Sequence, residues 1–296
     1  MTSQIATDLT IMDGGMGSEL LKRSGQRGGL WSAQALLDAP ESVAQVHQDY
    51  IDAGARLIIT NTYSTVPSYL QKGGWQDRFL ELATLAGQIA RDVADQGPDH
   101  VRVAGSLPPL NESYRFDLVP PAQEAASVYT ALAQALMPYV DLFICETMSS
   151  VREARNAVAA ARRVGGADTP VWVSWTLAEE PGRGLRSGES ISQAVAELAD
   201  YGVEAYLFNC TSADAITAGL AELRTLTTQQ IGAYPNLLHI PAGWTLDNEV
   251  QAGHYEMTDE EFRAYAVIWR EQGAQIIGGC CGTTPEHIKG MADAVA

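Results

Sequence analysis

The sequence predicts an α/β protein, a single (β/α)8 TIM barrel over residues 1–296. Three observations carry this. Apolar, often β-branched runs alternate with helically spaced segments, the signature of parallel strands joined by helices. Eight such units follow one another at fairly even spacing. The length suits one closed barrel, and no low-complexity linker divides the chain.

Leu9–Asp13 (LTIMD) reads as the first strand, and Gly14-Gly15-Met16-Gly17 as the turn after it. Ser18–Pro40 reads as a long connection. In Glu41–Ala53, Val43, Val46, Tyr50 and Ile51 recur at helical spacing until Gly54 stops them. Strands follow at Leu57–Thr60, Val101–Ala104, Asp141–Cys145, Val171–Trp175 and Ala205–Phe208. Helices fall between them at about Asp77–Gln96, Gln123–Met137, Val151–Val164, Ile191–Tyr201 and Ala213–Leu226. The seventh strand is Ile231–Tyr234 or Leu237–Ile240, and the first is preferred. Asp259–Gln272 is helical, Ala274–Ile277 is the last strand and Pro285–Val295 the last helix, with Pro285 in its first turn.

A net charge of −17 disfavours nucleic acid or an anionic membrane as partner. No apolar run is long enough to span a bilayer. The opening MTSQIATDLTIMDGG lacks a basic and then apolar leader, so the reading is a cytoplasmic protein with reduced thiols. Homo-oligomerisation stays open. The glycine-rich turns lack GxGxxG, which weakens a dinucleotide reading.

Function in this fold collects at the C-terminal ends of the strands. There the chain places Asp13, Asn61-Thr62-Tyr63, Gly105-Ser106, Glu146-Thr147, Asn209-Cys210 and Cys280-Cys281. Three of the four cysteines therefore sit just past strands six and eight, whose tips can converge. Three thiolates suit Zn²⁺ and leave its fourth position for a substrate. Alone, Cys280-Cys281 could equally be a vicinal disulfide or two buried thiols. Cys145, within a strand, reads as a small buried hydrophobe. Asp13 and Glu146 are either functional carboxylates or ordinary loop acids.

The motifs Asp13-Gly14-Gly15-Met16-Gly17, Thr60-Asn61-Thr62-Tyr63, Glu146-Thr147, Asn209-Cys210 and Gly278-Gly279-Cys280-Cys281-Gly282-Thr283-Thr284 cover nearly the whole chain. In them the sequence resembles the zinc-dependent homocysteine S-methyltransferase family. The resemblance implies that Cys210, Cys280 and Cys281 hold Zn²⁺ and act catalytically through it. It implies that Asp13 and Glu146 receive the amino-acid end of homocysteine, with backbone around Gly14 and Gly15 near its carboxylate. Asn209 and Tyr63 complete the expected substrate-binding set. The implied reaction moves a methyl group from a small methylated onium donor to the thiol of homocysteine, giving methionine.

Two loops depart from the family's common pattern. Gly105-Ser106 continues as Leu107-Pro108-Pro109-Leu110, and Tyr234-Pro235-Asn236 continues into Leu237–His254. These loops lie where a donor can bind. An S-methylmethionine-like sulfonium is the first expectation and betaine the second. Onium groups suit aromatic walls, for which Tyr63, Tyr114, Trp175 and Trp244 are the candidates. A non-catalytic zinc- or thiol-binding protein on the same scaffold is the alternative.

Overall fold

In the computed structural model, residues 9–24, 32–98, 100–239, 253–254 and 257–296 are described. The barrel strands are β1 (Thr10–Ile11), β2 (Leu57–Ile59), β3 (Arg102–Leu107), β4 (Leu142–Met148), β5 (Val171–Trp175), β6 (Ala205–Asn209), β7 (Gln230–Tyr234) and β8 (Ile276–Ile277). They pair in parallel in the order β1-β8-β7-β6-β5-β4-β3-β2. A parallel bridge from Met12 to Leu57 joins the two ends and closes the ring. The expected (β/α)8 barrel is present, with the seventh strand at the preferred position. Leu238–His239 instead pairs with Gly253–His254 in a short antiparallel ribbon outside the barrel.

Strands covered on both faces read as near-continuous apolar runs, and β4, LFICETM, is buried at every position. Period-two alternation still sorts its side chains. Leu142 and Ile144 point into the lumen with Met12, Leu57, Ala104, Trp172, Ala205, Leu207, Tyr234 and Ile276. Phe143 and Cys145 face the helices, so Cys145 is a core residue as expected.

The α-helices among the described residues are α1 (Met16–Ser24), α2 (Ala33–Asp38), α3 (Pro40–Asp52), α4 (Pro67–Gln71), α5 (Phe79–Gln96), α6 (Ala122–Leu136), α7 (Val151–Gly165), α8 (Ile191–Glu197), α9 (Ala213–Leu226), α10 (Asp259–Glu271) and α11 (Pro285–Val295). The connection expected over Ser18–Pro40 thus contains α1 and α2. They lack a long apolar stripe, and α1 is held by its packing against α3 rather than by its own pattern. The helix expected at Ile191–Tyr201 breaks into α8 and a 3-10 turn at Ala199–Tyr201, ending at left-handed Gly202. Three helices that leave the site strands carry hydroxyl caps. Ser150, Ser212 and Thr284 accept from the third backbone N–H of α7, α9 and α11. These caps stop each chain within a few residues of Glu146, Cys210 and Cys281.

Candidate active site

One cavity of about 110 Å³ opens at the C-terminal end of the barrel. Asp13, Gly14, Gly15, Tyr63, Glu146, Cys210, Cys280 and Cys281 all line it. Asn209 is not among its lining residues.

The thiol cluster comes first. The Sγ atoms of Cys210, Cys280 and Cys281 lie within 4.8 Å of one another. Three sulfurs at the usual zinc–thiolate bond of about 2.3 Å around a tetrahedral ion stand roughly 3.8 Å apart, so the cluster has the right size and chemistry for such an ion. In this structure the Cys210 and Cys280 sulfurs are in direct contact, with Cα atoms 5.9 Å apart, and the Cys281 sulfur lies beside them. Burial, followed by the charge of Glu146, pushes the Cys281 thiol up to about 11. A thiolate here needs a cation beside it.

The loop that carries two of the thiols is sutured on both sides. Gly279 N–H donates to Asp13 O at 3.0 Å, and Gly278 N–H to Ala233 O at 3.0 Å. Cys280 N–H donates to Pro235 O at 2.8 Å, and Leu237 N–H to Cys281 O at 2.9 Å. Thr283 Oγ1 donates to Cys280 O at 2.6 Å and accepts from Gly15 N–H at 3.1 Å. This engages the Gly15 N–H within the protein. The first turn of α1, at Met16, Gly17 and Ser18, also lines the cavity. Its N–H groups have no intrahelical partner and attract anions.

Two carboxylates line the same cavity. Glu146 follows Leu142 and Ile144 on the lumen face of β4, so it caps the lumen. It belongs to the strand, which runs past the Cys145 expected as its end. A register irregularity against β5 falls between Cys145 and Met148, where such bulges re-aim side chains. Ser106 Oγ donates a short hydrogen bond to Glu146. Burial pushes the Glu146 carboxyl up to about 7. Asp13 Oδ2 accepts from Ile59 N–H at 2.9 Å. Its pKa is raised mainly by burial and further by Glu146. Two buried carboxylates that resist ionising form a site for a cation.

The donor-side expectations divide. Tyr63 and Tyr114 line the cavity, and the Arg186 guanidinium lies 4.5 Å from the Tyr114 ring centroid. Trp175 does not line it: fully buried on the helix side of β5, it stacks on Tyr206 at 5.6 Å. Its strand parity sends it outward, and this is a correction to its place among the aromatic walls. Trp244 lies outside the described residues.

Several residues escaped sequence reasoning. Ser113 Oγ bonds Tyr63 Oη at 2.6 Å and Tyr69 Oη at 3.0 Å, and all three residues line the cavity. No sequence pattern marks this triangle, because its members come from the loop after β2, helix α4 and the loop after β3. Asn236 is fully buried beside Cys210's neighbour, its N–H donating to Thr211 O at 3.3 Å. Its amide has no hydrogen-bond partner among the described residues. A buried polar group of this kind beside a ligand cluster belongs to polar chemistry rather than to the core.

Comparison with known proteins agrees with this geometry. Residues 10–295 match the model of the family described as Homocysteine S-methyltransferase. The chain is 29% identical to Homocysteine S-methyltransferase YbgG of Bacillus subtilis, covering 96% of this chain and 93% of that one. It is also 29% identical to the Selenocysteine methyltransferase of Astragalus bisulcatus, covering 98% and 96%. The metallated form of the homocysteine methyltransferase MmuM from Escherichia coli superposes with a TM-score of 0.80 at 27% identity, covering 97% of this chain and 96% of that one. An oxidized form of the same protein superposes with a TM-score of 0.81 at 26% identity, covering 98% and 97%.

Proposed function

The chain belongs to the homocysteine S-methyltransferase family, and on that premise we propose that it forms methionine from homocysteine and a sulfonium donor of the S-methylmethionine type, with Zn²⁺ as cofactor. The observation that supports this best is the joining of three thiols and two buried carboxylates in one cavity. Asp13 and Glu146 take the ammonium of homocysteine, which restores the charged carboxylates that burial disfavours. The first turn of α1 takes its carboxylate. That orientation leaves the substrate sulfur beside Cys210, Cys280 and Cys281. Zinc held by these three thiolates supplies the positive charge that keeps the substrate thiol deprotonated at neutral pH, where a free thiol with a pKa of about 8.5 is mostly protonated.

The transfer is an in-line displacement. A carbon–sulfur bond forms to homocysteine, the bond from methyl to the donor's onium atom breaks, and its electron pair returns to the donor as a neutral product. The thiol proton is lost before attack, so the step needs no general base. Tyr63 and Tyr114 present ring faces to the donor's positive charge. Ser113 Oγ holds the Tyr63 hydroxyl at 2.6 Å. The chain then acts mainly by holding two substrates in line, excluding water and stabilising one thiolate.

The test is methionine formation from homocysteine with S-methylmethionine, betaine and S-adenosylmethionine, each with and without a chelator. Turnover with the sulfonium that chelation abolishes and zinc restores is expected. In Cys281→Ala, zinc content and turnover should both fall, because one of the three thiolates that hold the ion is gone. Zinc and homocysteine binding without turnover of any donor would instead establish a binding protein on this scaffold. Full activity in metal-free protein sinks the zinc assignment.

A further inference from the structure

Among the described residues, four non-glycine residues have positive φ: His100, Tyr114, Thr147 and Cys210. Thr147 at +59° and Cys210 at +52° each directly follow a strand residue at the top of the lumen, Glu146 and Asn209. A β-branched residue in this region is a conformational outlier that persists only when its surroundings over-determine it. The agent is visible. Asn209 Oδ1 accepts from Thr147 N–H at 3.0 Å and from Ser174 Oγ–H at 2.7 Å. Asn209 Nδ2 donates to Thr147 Oγ1 at 2.8 Å. The three side chains are fully buried.

We infer that Asn209 is a positioning residue that ties β4, β5 and β6 together, holds Thr147 in its left-handed turn, and so sets Glu146 in register with the Cys210 thiol that follows Asn209 in the chain. This replaces the expectation that Asn209 touches substrate, and it rests on the proposed function. The parity of the strands makes the arrangement possible. Asn209 follows Ala205 and Leu207 on the lumen face of β6, and Ser174 follows Trp172 on that of β5. Both therefore meet at the level of Glu146. One amide thus connects the residue before one proposed metal ligand to the residue after one proposed ammonium ligand. Removing it loosens two sites at once, although it contacts neither ligand.

The experiment uses the full chain, reduced, with zinc and homocysteine as probes. Zinc affinity is measured by chelator competition, homocysteine affinity by calorimetry on the zinc-loaded protein, and the thermal midpoint alongside. Asn209→Ala should weaken both affinities by about 10- to 100-fold, the usual cost of losing a partner that orients metal ligands. Ser174→Ala, which removes one of the three bonds, should shift both in the same direction by less. Loss of homocysteine affinity alone would make Asn209 a substrate contact and overturn the inference. A lower midpoint with both affinities intact would make it merely structural, and also overturns it. If Asn209→Ala does not fold, Ser174→Ala decides: both affinities weakened supports the strut, both unchanged rejects it. A wild-type protein that binds zinc but not homocysteine overturns the functional reading and the shared-register claim with it, and is seen before any variant is made.

Discussion

The two sides of the cavity rim are shaped by opposite means. At the seam between β8 and β1, close backbone approach does the work. A Cβ added at Gly15 would lie 2.7 Å from Cys280 O, and one at Gly278 would lie 3.0 Å from Asp13 O. Across the cavity, at the tips of β4 and β6, the turns are made by Thr147, held by the buried Asn209 amide, and by Cys210, whose carbonyl accepts from Thr176 Oγ1 at 3.2 Å. One side obtains its geometry by leaving atoms out. The other obtains it by hydrogen-bonding residues whose side chains are needed where they stand. Cys210 cannot be glycine and remain a thiol, so its turn has to be held by bonds from its neighbours.

That contrast fails first, and with the largest effect, at Gly15. Gly15→Ala pushes against the carbonyl of the loop bearing two thiols, and overpacking costs about 1–3 kcal/mol. We expect a lower thermal midpoint and zinc affinity reduced by at least the fold-change that energy implies. Wild-type zinc affinity in Gly15→Ala would show that the seam does not depend on close approach.

The carboxylates sharpen the comparison, since Asp13 stands on the glycine side and Glu146 on the strutted side. Asp13→Asn and Glu146→Gln should each weaken homocysteine binding by roughly 10- to 100-fold, the range for a hydrogen bond to a charged group. Similar losses would place the ammonium between the two sides; a loss from one alone would assign it to that side. Glu146 also has a pH signature. Its carboxyl is raised from 4.5 to about 7 in the folded chain. Between these values the folded state keeps a proton that the unfolded state releases, so stability declines as pH rises through the window. Homocysteine affinity should rise over the same window as the carboxylate forms. Glu146→Gln should flatten both trends, read by thermal melts and calorimetry from pH 5 to 8.

The smallest effect at the site is expected from a residue far from this contrast. His47 on α3 is fully buried, and neither ring nitrogen has a partner among the described residues. Burial lowers its pKa from 6.5 to about 4. Its neutral form is favoured by folding, so the contribution is complete above pH 6.5 and is lost as pH falls toward 4. The loss amounts to about 2 kcal/mol at pH 5. Melts of His47→Leu should lack that acid slope, while homocysteine affinity at pH 8 stays within about twofold of wild type, as for distant sites.

Much of this protein is legible in its chain. Apolar alternation, eight units and short turns are local records of burial on two periods, and they mark barrel, strand tips and the thiols upon them. The first helices were not legible, because α1 and α2 owe their form to packing and not to a stripe of their own. Trp175 was misplaced because an aromatic residue near a strand tip points inward or outward by parity, which the boundary alone does not settle. Cys210 and Cys280 are 70 residues apart in sequence, and the pairing of β6 and β8 on either side of β7 brings them together. Only the tertiary structure shows what the Asn209 amide bonds to. Its identity is visible in the sequence, but a hydrogen bond across two strands depends on neighbours that sequence order does not specify. Left-handed backbone at a threonine and a cysteine is likewise imposed from outside the segment. Composition and period thus determined what the chain is built from and which chemistry it carries; the closed sheet decided which of those groups face one another.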